Sequence, residues 1–172
     1  MNKVIAKNNG YTLEVIQCKN KSKAYSDYYG KIYGIIREEK TRKVVFVVSD
    51  GNGDDEWRTT YAEFKYGENV GMHYISLYDM EYKYAVGDEL EKIFNFSFKE
   101  KFGFEMKSSF SKAMYDKAYK EGKSTSQGSD FWKEYNDMWF KVCSFLMKRM
   151  FEENKITRTL FGIVIDYKNS LD

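Results

Sequence analysis

At 172 residues, with 42% hydrophobic and 31% charged positions, the chain has the size and balance of one folded domain rather than of a disordered segment. Its net charge of +2 is far from the basic balance of a dedicated duplex-DNA binder and from the acidic balance of a DNA mimic. The longest apolar run, Val44 to Val48, is too short to span a bilayer, and the first residues, "MNKVIAKNNG", hold no signal-peptide core; the expectation is a cytoplasmic protein without a membrane partner.

The elements follow in chain order. "KVIAKNNGYTLEVIQ" is two alternating runs around Asn9-Gly10, a dipeptide that tolerates the positive φ angles of a tight hairpin turn. "KNKSKAYSDYYG" reads as a long polar and aromatic loop. "KIYGIIRE" and "KVVFVV" flank "EKTR" as a second hairpin, and the unbroken apolar run of the latter predicts a strand covered on both faces. "EWRTTYAEFK" (residues 56–65), "MHYISLYDM" (72–80) and "EYKYAV" (81–86) read as further strands. At "VGDELEKIF" the period changes to that of a helix. Asp88 and Glu91 have capping-box spacing, Leu90, Ile93, Phe94 and Phe98 share a face, and Gly103 is the expected stop. A second helix is predicted over Ser109 to Glu121, ending at Gly122, and "GKSTSQGS" connects it to a third.

That third helix, Asp130 to Asn154, carries the strongest pattern. Phe131, Tyr135, Met138, Trp139, Val142, Phe145 and Leu146 form one apolar stripe, and Phe140, Met147 and Phe151 form a second row beside the polar side. "ITRTLFGIVIDY" closes the chain as a strand that returns to the sheet. The grouping predicts a single α+β domain over 1–172: strand-rich from 1 to 86, helix-rich from 87 to 154, and a closing strand over 156–167. The mostly antiparallel sheet would carry two or three helices on one face.

The densest cluster of carboxylates lies at "SDGNGDDEW". Asp50, Asn52 and Asp54 have the spacing of positions 1, 3 and 5 of an EF-hand loop, but Asp55 and Tyr61 stand where that loop needs Gly at position 6 and Glu at position 12. A second arrangement is available. Asp54 followed by Glu63-Phe64-Lys65 resembles the metal-binding hairpin of PD-(D/E)xK nucleases, which implies Mg²⁺ held by Asp54 and Glu63 with Lys65 near the attacking water. The resemblance covers this one hairpin, lacks the proline before the acid, and has no helix before its first strand. A solvated hairpin turn, with Gly and Asn supplying positive φ, accounts for the same residues without metal, and no metal or other cofactor is expected.

His73 is the sole histidine and shares a strand face with Ile75 and Leu77, the setting of a structural imidazole rather than of a general base. Cys18 and Cys143 form no CxxC and read as reduced thiols, with Cys143 in the core. No GxSxG, P-loop, HExxH or GxGxxG is present. No catalytic residue is therefore assigned outside the Asp54, Glu63, Lys65 alternative.

What remains is aromatic surface. Tyr25, Tyr28, Tyr29 and Tyr33 interleave with Lys19, Lys21, Lys23 and Lys31, a pattern suited to a protein interface or to stacking along single-stranded nucleic acid. The row of Phe140, Met147 and Phe151 fits a partner or homodimer interface, or a helix buried on two sides in its own fold. Only five arginines are present, at 37, 42, 58, 149 and 158, so bidentate phosphate or base recognition is disfavoured. The expected function is non-enzymatic binding of a protein partner. The absence of proline and the excess of Lys, Asn, Tyr, Phe and Ile match AT-rich coding sequence, the setting of a low-GC bacterium, phage or mobile element. An accessory or inhibitor factor, including one of the anti-CRISPR kind, would fit that setting.

Overall fold

The computed structural model describes residues 3–17, 32–49, 77–82 and 87–153. Asn9 and Gly10 take φ of 50° and 83°, the pair of positive values that a two-residue hairpin turn requires. They join strands β1 (Val4–Asn8) and β2 (Tyr11–Gln17), as predicted. β3 (Ile32–Glu38) and β4 (Val44–Ser49) form the second predicted hairpin, and the four strands lie in the order β1-β2-β3-β4 with every neighbour antiparallel. Register pairs Ala6 with Leu13, Leu13 with Ile36 and Gln17 with Ile32, which sends these residues to one face. Ala6, Leu13, Val15, Ile32 and Ile36 are buried there.

The residues between them, Thr12 and Glu14, are buried too. A carboxylate without water needs donors. Arg42 Nη2 donates to Glu14 Oε1 at 2.9 Å, Arg37 Nε donates to Oε2 at 3.3 Å, and Arg42 Nη1 donates to Thr12 Oγ1 at 3.1 Å.

Helix begins earlier than the sequence predicts. Residues Leu77–Tyr82 form α1, where strands over 72–80 and 81–86 were expected. A strand would send Met80 and Glu81 to opposite faces, yet both are buried. Glu81 is held there by the Tyr135 hydroxyl, which donates to its Oε1 at 2.8 Å. The helix predicted from residue 87 is two helices, α2 (Gly87–Phe94) and α3 (Phe98–Phe102). Asn95 breaks them by adopting φ 52°, a left-handed value that Asn tolerates. Ser97 then caps α3 by accepting from Glu100 N, and Glu91 Oε1 accepts from Phe98 N at 2.9 Å, so Glu91 serves the next helix rather than a capping box with Asp88. Gly103, at φ 80°, ends α3 where expected.

Ser109 caps α4 (Phe110–Lys120) by accepting from Lys112 N at 3.2 Å. The long helix is α5 (Asp130–Glu152). Its contacts run to both sides. Toward the sheet it touches β1, β2 and β3, and Gln17 Nε2 and Asn8 Nδ2 donate to its Asn136 and Phe151 carbonyls. On its other side Phe145 meets Phe96 and Phe102, Trp139 meets Phe110, and Phe131 meets Tyr115, at ring separations of 4.8 to 5.6 Å. The described residues thus form an α+β arrangement of one four-stranded antiparallel sheet and five helices, against the two or three helices expected. The strands predicted over 56–65 and 156–167, and the side chains of the central β4 valines, lie outside what is described. No described helix is long and apolar enough to cross a membrane.

Candidate interaction surface

Most residues singled out in the sequence fall outside the described ones. These are Cys18, Lys19, Lys21, Lys23, Tyr25, Tyr28, Tyr29 and Lys31, the carboxylates from Asp50 to Asp55, and Glu63, Lys65 and His73. Tyr33 lies in β3, where only its backbone is described. The second row of the long helix is described, and it is covered by the chain itself. Met147 and Phe151 are 2% and 4% exposed and belong to the core cluster, and Phe140 packs half-buried against it. The face next to Phe151 is the one that meets β1 through Asn8. Of the two readings of that row, the buried helix matches its placement, and Met147 and Phe151 present no open area to a partner. Cys143 is buried in the core, where the sequence placed it.

The described residues expose aromatics elsewhere. Tyr119 is 88% exposed, Tyr82 52% and Tyr115 39%. Tyr115 and Tyr119 lie one turn apart on α4, so they share a side of that helix. Tyr115 packs on Phe131 at 5.0 Å and, edge to face, on half-buried Trp132 at 6.1 Å. Trp132 contacts Tyr135 at 5.6 Å, and the Tyr135 hydroxyl reaches Glu81, the neighbour of Tyr82. Rings therefore run from the core through Trp132 and Tyr115 to the surface. A ring held by other rings loses little freedom on meeting a partner, which suits it to an interface.

Burial, followed by the charge of Glu81, pushes the Tyr135 phenol far above the usual tyrosine range. It remains a proton donor, and the Glu81 carboxylate keeps its partner inside the fold.

Among the described residues, most of the charges around α4 are paired, Lys120 excepted. Lys112 meets Asp116 at 3.1 Å, Lys117 meets Glu121 at 2.8 Å, and Lys123 bridges Glu121 and Glu134, both at 3.0 Å. Hydrogen bonds from Lys117 and then Lys123 hold the Glu121 carboxyl below its ordinary range. The described arginines are engaged as well. Arg37 and Arg42 hold Glu14, while Arg149 lies 5.3 Å from the Phe145 ring centre and 3.7 Å from Glu153. Among the described residues no three His, Cys, Asp or Glu side chains come together as a metal site.

The sequence reading missed this surface because it located the α4 helix without sorting its faces. The signal was present: in "FSKAMYDKAYK" the apolar Phe110, Ala113, Met114 and Ala118 leave Tyr115 and Tyr119 on the far side. No protein-family model, curated protein or solved structure matches the chain.

Proposed function

We propose that this protein acts by binding another protein, with the exposed rings of α1 and α4 as contact area and without chemistry of its own. One observation carries the reading: Tyr119 is 88% exposed and Tyr82 and Tyr115 are exposed over 52% and 39% of their surface, although the same chain buries rings throughout its core. Tyr is favoured at interface hot spots because it brings a large, stiff contact with a polar tip. The choice of a protein over a nucleic acid rests on charge. Binding to phosphates needs cations free to displace counterions, and the lysines around Tyr119 are largely neutralised by Asp116, Glu121 and Glu134. The AT-rich composition fits an accessory or inhibitor factor of a low-GC bacterium, phage or mobile element, and a host defence complex is a target that suits this setting.

Photo-crosslinking tests the reading directly. A benzoylphenylalanine at position 119 should join to one discrete protein in nuclease-treated host lysate, and the same group at Lys141 should not. The Tyr82→Ser plus Tyr119→Ser variant should retain its thermal transition and lose that protein. Capture unaffected by the double substitution, or a crosslink equally strong from Lys141, overturns the proposal.

A further inference from the structure

An open groove of about 450 Å³ runs between the end of α3 and α4, on the side of α4 away from Tyr115 and Tyr119. Ala113 to Glu121 form one wall, about 12 Å of helix at 1.5 Å per residue. That is the length of roughly four residues of extended chain. Phe104 and Ala113, its two apolar side chains, are buried, and apart from Gly103 the rest of the lining is polar.

Four lysines and three carboxylates line the groove, and their pairing is unequal. Glu121 is bridged by Lys117 and Lys123, Asp116 pairs with Lys112, and Glu105 lies 3.6 Å from Lys107. Lys112 and Lys123 reach their acids from outside the groove. Every lining carboxylate is thereby matched, while Lys99 and Lys120 have no carboxylate partner among the described residues. The unmatched charge is positive.

We infer that this groove receives an acidic segment of a partner protein in extended conformation, with carboxylates of the segment meeting Lys99 and Lys120. A peptide fits the mixed lining better than a polynucleotide does. Its backbone N–H groups can donate to Glu105, Asp116 and Glu121, whereas a phosphodiester backbone has no N–H to offer them and finds no exposed ring in the groove on which to stack bases. The inference goes beyond the aromatic surface and does not depend on it.

Fluorescence anisotropy with the full chain separates the outcomes. The probes are a labelled peptide of alternating Glu and Leu, its Gln counterpart, and a labelled oligo-dT of similar length. The Glu peptide should bind at low salt, at least about tenfold tighter than the Gln peptide, and weaken as salt screens the charges. Lys99→Glu plus Lys120→Glu should lower its affinity by about tenfold or more, while Tyr119→Ser leaves it unchanged. Should the charge reversals disturb the circular dichroism spectrum, Lys99→Gln plus Lys120→Gln takes their place, with about a threefold loss expected. Equal binding of the two peptides, wild-type affinity in the lysine variants, or tighter binding of oligo-dT each overturns the inference. Loss on Tyr119→Ser alone would place the peptide on the aromatic surface and overturn it too.

Discussion

A Cβ added to Gly87 would sit 2.1 Å from the Met106 carbonyl oxygen, inside any permitted contact, so the first residue of α2 can approach Met106 only as glycine. The obstacle is backbone, which cannot swing aside as a side chain would. Gly87→Ala is expected to cost about 1–3 kcal/mol in denaturant unfolding, and shortening Met106 to Ala should not restore it. Tyr135 gives a second expectation. Its phenol is held protonated by burial and by Glu81, so the folded chain keeps a proton that the unfolded chain releases near pH 10. The sign follows: this contribution is complete below about pH 10, and above it stability falls by about 1.4 kcal/mol per pH unit for this one group. Tyr135→Phe should remove that part of the alkaline slope. At neutral pH it should cost about 1–3 kcal/mol, because it takes a donor from a buried carboxylate. Unfolding curves at pH 7 and at two values above pH 10 measure both effects. An unchanged alkaline slope would mean that the hydroxyl is not held as described. The sequence placed Tyr135 on an apolar stripe and said nothing of its hydroxyl, because the acceptor lies 54 positions away.

Elements were legible where their determinants are local. The Asn9-Gly10 turn, the start of α4 at Ser109, the Gly103 stop and the extent of α5 each depend on a few neighbouring residues, and each lies where the pattern put it. The errors share a different cause. α1 was read as strand because Leu77 and Ile75 fit a two-residue period, whereas Glu81, buried beside Met80, is held inside by Tyr135 on another element. The break at Asn95 was hinted at by the alternation of "FNFSF", but its stability comes from the Ser97 cap and the Glu91 carboxylate. The β3–β4 turn adds a test at this scale. Arg42 occupies φ 62°, a strained value for a side chain with Cβ, and its guanidinium spans Thr12 and Glu14 on β2. Arg42→Ala loses these bonds and keeps the strain, so it should destabilise by about 2 kcal/mol. Arg42→Gly loses the bonds and relieves the backbone, and should cost about 1 kcal/mol less. Equal costs for the two variants would show that no strain is stored in the turn.

At the scale of the molecule, α5 is the shared wall: the sheet covers one side and the rings of the shorter helices cover the other. That is why Met147 and Phe151 of its second apolar row, which the sequence offered to a partner, are already covered, with Phe140 half-buried, and why the proposed contact area is placed on α1 and α4. Periodicity identifies an apolar face but not what covers it. The carboxylates around Asp54 raise the remaining question, whether the molecule binds or cuts, and that question has its own experiment. If the protein acts by binding, these carboxylates hold no catalytic metal, so Glu63→Gln and Lys65→Ala should each leave stability within about 0.5 kcal/mol and partner capture unchanged. A nuclease of the PD-(D/E)xK type would lose a Mg²⁺-dependent activity on either change, since one removes a ligand charge and the other the cation beside the attacking water. Wild type and both variants should therefore be incubated with labelled single- and double-stranded DNA, with Mg²⁺ and with a chelator, alongside the crosslinking at position 119. Binding predicts intact DNA throughout and a crosslink that survives both substitutions. Cleavage by wild type alone, and only with Mg²⁺, would transfer the function to Asp54, Glu63 and Lys65.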